Sequence, residues 1–390
     1  MYILQPSNFA LGSRPNFLIY FLLLVVLGVS PQVGWAHGIC EGQFMSNEGI
    51  DRWQRGLNKL DQELIDFWNH EDAWEKQYKV LRGAAFRIQS LGKVYRKLDE
   101  DRKIDPAIME IVKSFDDGLT EGPFDLIRRL GKSLEDSLGA YDMEKELVDV
   151  LEDAGASETE LSAAKARKEA KRKEIEAYMN EHWKSGNYRR LIQTMLDQNP
   201  WLSSKDDREF YGKRVRKRLE KLQGKFEDGA FPVEEVEDGT HELRRQIRYI
   251  AMMMQHSDGL FELDKSETLI KAFKHLKDDP VADSMFAKLP SVKVESPIRI
   301  PWVIYLAITK YVYELGLAKD SGGFEHQIVT LLTESGLESD HKKAEARAHE
   351  LVGQSNNLYD RVKIHTGIEE EVLETGIFEK LADYIKQQLK

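Results

Sequence analysis

Apolar residues recur at intervals of three and four along most of the 390-residue chain, and few segments alternate between apolar and polar positions. This spacing is typical of amphipathic helices that bury one face. Only 11 prolines interrupt the pattern, and Pro123 and Pro200 stand where a helix is expected to begin or end. The sequence therefore predicts an all-α fold. Helices are expected over residues 47–69, 72–99, 105–117, 123–153, 157–183, 186–197, 204–227, 240–257, 264–277, 300–317, 323–335, 339–360 and 367–389.

A break in the helical pattern lies between Pro290 and Pro297, which bracket a short alternating run. Proline lacks an amide hydrogen and its ring disrupts a helix interior, so this segment is expected outside helices. We therefore predict a helical domain over residues 45–290 and a helical carboxy-terminal extension over residues 291–390. Within the first, Ser157-Glu158-Thr159-Glu160 has the pattern of a capping box, which predicts the start of a long, solvated helix.

Residues 17–29 form an apolar run that Arg14 precedes. Thirteen residues suit the core of a signal peptide, whereas a membrane-spanning helix needs about 20. The sequence predicts a signal peptide over residues 1–36 and an exported protein, periplasmic or extracellular. An uncleaved amino-terminal anchor is the alternative. The single cysteine, Cys40, excludes an intramolecular disulfide.

Charge is distributed unevenly along the chain. The 56 Lys and Arg residues against 67 Asp and Glu give a net charge of −11, which argues against nucleic-acid binding over the whole surface. Between Leu161 and Lys225, however, 18 basic residues face 9 acidic ones, a local charge of +9 that leaves −20 for the remainder. This separation indicates a basic site on an acidic body.

Three segments carry their cations in rows along a predicted helix. The first extends from His241 to Ile250, and at about 100° per residue its cations share one stripe while its apolar residues face away. The others are Tyr188–Leu191 and Lys213–Lys221. Cations one helical turn apart, about 5.4 Å, can meet a polyanion repeatedly, and arginine can bind phosphate oxygens through two parallel hydrogen bonds. A solvated face that maintains solubility is the alternative interpretation.

The segment over residues 241–250 has a weaker copy 162 residues upstream, over residues 79–88. The two segments match at three equal offsets. The matching pairs are Leu81 and Leu243, Arg82 and Arg244, and Ile88 and Ile250. This agreement indicates a decayed internal repeat.

From Ser185 to Met254 the chain resembles the CHAD family, the conserved histidine α-helical domain. The resemblance is carried by the Tyr188–Leu191 helix start, by the basic Lys213–Lys221 segment and by a helix that begins His241-Glu242-Leu243-Arg244. Residues 138–142 are also similar to the Leu-Gly turn of that family. The resemblance implies two related helical halves, and therefore a two-half antiparallel helical bundle.

The resemblance also implies a ligand. CHAD proteins bind inorganic polyphosphate in a basic groove between their halves, so a phosphate-rich polyanion is the expected partner. No cofactor, catalytic residue or specific nucleic acid is expected. The chain departs from the family at Lys79, where a histidine is usual, and at Phe86, where a cation is usual. The implied phosphate contacts are Lys79, Arg82, Arg189, Arg190, Arg214, Arg218, His241, Arg244, Arg245 and Arg248.

Two other functions fit particular segments. A helical scaffold that binds another protein could use the adaptable apolar runs Met252–Met254 and Trp302–Tyr305. A metal-dependent hydrolase could use His341, Glu345 and His349, which recur every fourth residue on one predicted helix. That helix is rich in Lys and Ala, so a solvated face explains the same spacing.

Overall fold

A computed structural model describes residues 49–390 apart from short gaps. The gaps are residues 70–73, 99–122, 185, 187, 190–191, 194–196, 198–201, 268, 285–286, 291 and 355–359. The predicted signal peptide and the predicted helix over residues 105–117 lie outside the described residues, as does half of the predicted helix over residues 186–197. None of the described helices is long and apolar enough to cross a membrane.

The fold is all-α, as the apolar spacing predicts. Its helices are α1 (Gly49–Asn69), α2 (Trp74–Tyr95), α3 (Pro123–Asp153), α4 (Glu158–His182), α5 (Ser204–Glu227), α6 (Glu242–Gln255), α7 (Trp302–Glu334), α8 (His341–Gln354), α9 (Arg361–Thr375) and α10 (Ile377–Gln388). A short 3-10 turn, Arg96–Leu98, extends α2, and a π-helical turn, Val236–His241, precedes α6. Two short parallel strands, β1 (Phe261–Asp264) and β2 (Ile298–Pro301), pair with Phe261 opposite Ile298.

Local signals in the sequence set several helix ends. Pro123 is the first residue of α3, where its missing amide hydrogen costs nothing. Ser157 and Glu160 form the predicted capping box at the start of α4. The Glu160 carboxylate accepts a 2.7 Å hydrogen bond from the Ser157 amide, and the Ser157 hydroxyl accepts one from the Glu160 amide. Gly376, in the left-handed conformation at φ 57°, ends α9. The single helix predicted over residues 367–389 is therefore wrong.

Two other helix predictions are wrong. Residues 264–277 hold the end of β1 and a 3-10 helix, Lys271–Asp278, in which Phe273 and Leu276 are buried at the three-residue spacing that suits a 3-10 turn. The helices predicted over 300–317 and 323–335 form the continuous α7. Ala318 and Phe324, which flank the two intervening glycines, are both buried.

One apolar core extends from Trp53 in α1 to Ile385 in α10. The described residues from Gly49 to Lys390 belong to one compact unit, and the predicted boundary at residue 291 lies between elements of that unit. The strand β1 before that boundary pairs with β2 after it, and α10 packs against α5. A smaller apolar cluster lies where the end of α3, the start of α4, the end of α7 and α8 meet.

Candidate anion-binding site

The two copies of the predicted repeat lie on helices that touch, α2 and α6. The matching apolar residues Leu81 and Leu243 are fully buried, as are Ile88 and Ile250. These residues hold both helices against the core, so the cations beside them lie along the contact between α2 and α6. On α2 and its 3-10 extension these cations fall within residues 82–96, a stripe about 21 Å long.

One end of this contact holds what we call the Arg82 cluster. Its members are Arg82, Arg244 and Arg248 with the carboxylates of Glu135, Asp142, Glu146 and Asp320. Arg82 donates from Nη1 to Asp142 Oδ2 at 2.7 Å and from Nη2 to Glu135 Oε1 at 3.1 Å. Tyr78 donates its hydroxyl to the other oxygen of Asp142 at 2.5 Å. Two carboxylates from α3 therefore neutralise Arg82.

The other two arginines of the Arg82 cluster project from α6. Burial lowers the pKa of Arg244, while the nearby carboxylate of Asp320 opposes that shift. Burial, then the charge of Arg244, lowers the pKa of Arg248 to about 10, and its guanidinium lies 4.6 Å from the centre of the Phe86 ring. This contact is a cation–π interaction.

The acid Glu146 completes the Arg82 cluster. Burial, followed by the charges of Asp320 and Asp142, raises the pKa of Glu146 to about 7. Lys319 lies 3.2 Å from Asp320 as an ion pair. Because four carboxylates surround the cations, this end of the contact is close to electrically balanced.

The other end holds what we call the Lys93 cluster. Its members are Lys93, Arg96, Arg128, Arg218 and Arg245, contributed by α2 and its 3-10 extension, α3, α5 and α6. Gly92 lets α2 approach α3, since a Cβ there would lie 2.7 Å from the backbone nitrogen of Arg128. The close approach brings Lys93 beside the start of α3.

An aromatic ring lies at the centre of the Lys93 cluster. The Lys93 ammonium nitrogen is 3.4 Å from the centre of the buried Tyr249 ring, and the Arg218 guanidinium is 5.3 Å from it. Arg218 also donates a hydrogen bond to the Gln246 side chain. Two cations therefore share one ring, an arrangement that concentrates like charge.

Few carboxylates balance the Lys93 cluster. Arg128 pairs with Asp125 at 2.8 Å and Arg245 pairs with Glu242. Within the part of the chain that the structure describes, neither Lys93 nor Arg96 pairs with a carboxylate. Burial, then the charge of Arg218, lowers the pKa of Lys93 to about 7. Among the residues that the structure describes, five basic side chains thus meet two acidic ones, an arrangement that favours a bound anion.

His241 directly precedes α6 and contacts an acidic side chain. It ends the π-helical turn, and its Nδ1 lies 2.6 Å from Glu237 Oε2. In this turn Gly239 packs so closely on Pro232 that a Cβ would lie 1.8 Å from the proline carbonyl oxygen, and the Thr240 hydroxyl lies 2.9 Å from Nδ1 of His365 on α9. The side chain of His241 is therefore held beside an acid, Glu237, at the start of α6.

The remaining predicted contacts are dispersed. Arg189 pairs with the buried carboxylate of Asp61 on α1, Lys79 is exposed and Arg214 is half-buried on α5. Arg190 lies outside the described residues. The structure thus brings Arg82, Arg244 and Arg248 together in one cluster, and Arg218 and Arg245 in another.

Lys93, Arg96 and Arg128 were not among the residues predicted from the sequence. The first two follow Arg82 by 11 and 14 residues, which is close to three and four turns of a helix. That spacing was the available signal for a stripe along α2. Arg128 belongs to a different helix, and only the close packing at Gly92 reveals its place.

The residues of the two alternative functions lie elsewhere. Among the described residues no group of three or more His, Cys, Asp and Glu side chains could hold a metal ion, and the His349 side chain is 82% exposed. The runs Met252–Met254 and Val303–Tyr305 are buried in the core, and Trp302 is half-buried. The apolar contacts on which the scaffold hypothesis depends are therefore core packing.

No protein-family profile, curated protein or solved structure matches this chain.

Proposed function

We propose that this chain is an exported protein that binds a phosphate-rich polyanion, inorganic polyphosphate or a chemically similar chain, in the Lys93 cluster without turning it over. The observation that carries the proposal is the excess of positive charge in that cluster. Arg128 and Arg245 have carboxylate partners, whereas Lys93 and Arg96 have none among the described residues. An anion would relieve the repulsion between these side chains.

The chemistry of the cluster suits phosphate. Arginine presents donors in a planar fork that matches two phosphate oxygens, and three of the cluster's arginines come from three different helices, α3, α5 and α6. Arg96 is exposed and the Arg245 side chain is 60% exposed. A ligand can therefore reach the cluster from solvent, and a chain of phosphates can contact several of its members at once.

The resemblance to the CHAD family supports the same class of ligand. Arg218 and Arg245 are among the contacts that the resemblance implies, and both belong to the Lys93 cluster. The other proposed contacts, Lys93, Arg96 and Arg128, are not among the phosphate contacts that the resemblance implies. Export is supported by the apolar run over residues 17–29.

The test is titration of the protein with long-chain polyphosphate at low and moderate salt. The wild type is expected to bind at low salt, with an affinity that falls roughly tenfold or more as salt rises from about 50 to about 200 mM. The variant Arg96→Ala/Arg245→Ala removes two exposed charges of the cluster and is expected to bind about tenfold more weakly, a change of about 1.4 kcal/mol.

The matched control is Lys217→Ala/Lys386→Ala, which removes two exposed lysines outside the cluster. It changes the net charge by the same amount and is expected to bind like the wild type. Equal losses in the two double variants would show that net charge alone governs binding. Absence of binding by the wild type at low salt would reject the proposed function.

A further inference from the structure

Lys93 differs from the other members of its cluster because its side chain can lose a proton near neutral pH. Four guanidinium groups approach it from every helix packed around it. They belong to Arg96, Arg128, Arg218 and Arg245. Arginine stays protonated in proteins, so the repulsion in the cluster can be relieved only at the lysine.

Burial of the Lys93 amine acts in the same direction, because burial disfavours the charged form and is the largest cause of the lowered pKa. The amine also lies 3.4 Å from the centre of the buried Tyr249 ring, a contact that favours the charged form but does not outweigh burial. The carboxylates of this region, Asp125 and Glu242, pair with Arg128 and Arg245. Burial raises the pKa of Tyr249 well above its ordinary value, so this phenol stays neutral and does not exchange protons near neutral pH.

We propose that the Lys93 cluster binds its polyanion together with one proton, which Lys93 takes up. A phosphate chain would supply the negative charge that the described residues do not, and the ammonium form of Lys93 would then be favoured. The inference rests on the proposed function and adds to it a coupling between anion and proton at one named side chain.

The coupling has a definite sign. Burial and the neighbouring arginines bring the pKa of free Lys93 to about 7, so above neutral pH the free protein has a largely neutral amine. A bound polyanion raises that pKa. By linkage, affinity must fall as pH rises above about 7, with a limiting slope of about tenfold per pH unit until the raised pKa is reached.

Long-chain polyphosphate is a suitable probe because its internal phosphate groups stay singly ionised across this pH range, so the probe contributes almost no protons. Calorimetric titration of the full chain at about pH 8, in two buffers with different ionisation enthalpies, measures the protons taken up on binding. The wild type is expected to take up close to one proton per site, and its affinity is expected to fall between about pH 8 and about pH 9.

Two variants test whether Lys93 is the group that takes up the proton. Lys93→Arg keeps the charge at every pH, so it is expected to bind without proton uptake and without the pH dependence. Lys93→Met has no amine, so it is expected to bind more weakly than the wild type at about pH 7, again without uptake. Lys217→Met, which removes an exposed lysine of α5 outside the cluster, is expected to retain the uptake.

The outcomes separate the inference from the proposed function. Salt-dependent binding by the wild type without proton uptake would overturn the coupling and leave the proposed function intact. Uptake that persists in Lys93→Arg would assign the proton to another group and also overturn the inference. Absence of binding at any pH would reject the proposed function itself.

Discussion

The two ends of the contact between α2 and α6 hold three and five cations, and they differ most in the acids that surround them. In the Arg82 cluster, two carboxylates of α3 pair with Arg82, and the carboxylate of Asp320 on α7 lies near Arg244. In the Lys93 cluster, three of five cations, Lys93, Arg96 and Arg218, form no ion pair with a carboxylate among the described residues. The first arrangement contributes to stability, and the second costs stability until an anion arrives. A row of cations in a sequence can therefore stabilise the fold or bind an anion. The number of acidic side chains that lie beside it in the structure determines which role is favoured.

The largest expected effect is on stability at the Arg82 cluster. Arg82→Met would leave the carboxylates of Glu135 and Asp142 without their partner, and the free energy of unfolding is expected to fall by about 2 kcal/mol. Lys93→Met at the other end removes a repelled amine, so its free energy of unfolding is expected to equal or exceed that of the wild type. Urea denaturation of both variants makes the comparison, and a similar loss in each would contradict it.

A second prediction concerns the pH dependence of stability, because the contributions of the two clusters to the free energy of unfolding change with pH in opposite directions. Burial raises the pKa of Glu146 from 4.5 to about 7, so between those values the folded protein holds a proton that the unfolded chain has lost, and this contribution to stability falls as pH rises. Burial lowers the pKa of Lys93 from 10.5 to about 7. Between those values Lys93 is protonated in the unfolded chain and neutral in the folded protein. The contribution of Lys93 to the free energy of unfolding therefore rises with pH.

The urea concentration at the midpoint of denaturation, measured as a function of pH, tests both contributions. Glu146→Gln is expected to remove the decrease of the midpoint below about pH 7. Lys93→Met is expected to remove its increase above about pH 7. A slope that survives its variant would assign the titration to another group.

The smallest expected effect is at Tyr249. Its hydroxyl is buried and has no hydrogen-bond partner within the described part of the chain, so Tyr249→Phe removes an unsatisfied polar group. The free energy of unfolding is expected to stay the same or rise by up to about 1 kcal/mol. The ring beside Lys93 is retained, so the affinity for polyphosphate should not change. A marked loss of affinity, measured by the same titration, would show that the hydroxyl itself contacts the ligand.

Local chemistry made much of the fold predictable. The predicted bounds of α3 and α5, residues 123–153 and 204–227, agree with the structure, because a proline and an amphipathic pattern set these helices locally. The capping box at Ser157 is equally local. The β1 strand was missed because its pairing partner, β2, lies 37 residues away in sequence.

The candidate site was only partly predictable. The cations of α6 were identified from their spacing, but the acids that neutralise Arg82 belong to another helix, α3. Lys93 gains its unusual environment from three further helices, and His241 contacts Glu237 within a π-helical turn that the sequence did not predict. Long-range packing of this kind leaves no periodic signal in the sequence.

The most direct test of the central claim is a titration with long-chain polyphosphate that compares the two ends. Arg96→Ala/Arg245→Ala and Arg244→Ala/Arg248→Ala each remove two positive charges, the first pair from the Lys93 cluster and the second from the Arg82 cluster. The single variant Arg248→Ala provides a milder change at the second site, and circular dichroism confirms that each protein is folded. We expect about a tenfold loss of affinity in the first double variant and less than about a twofold loss in the others. The reverse order would contradict the account.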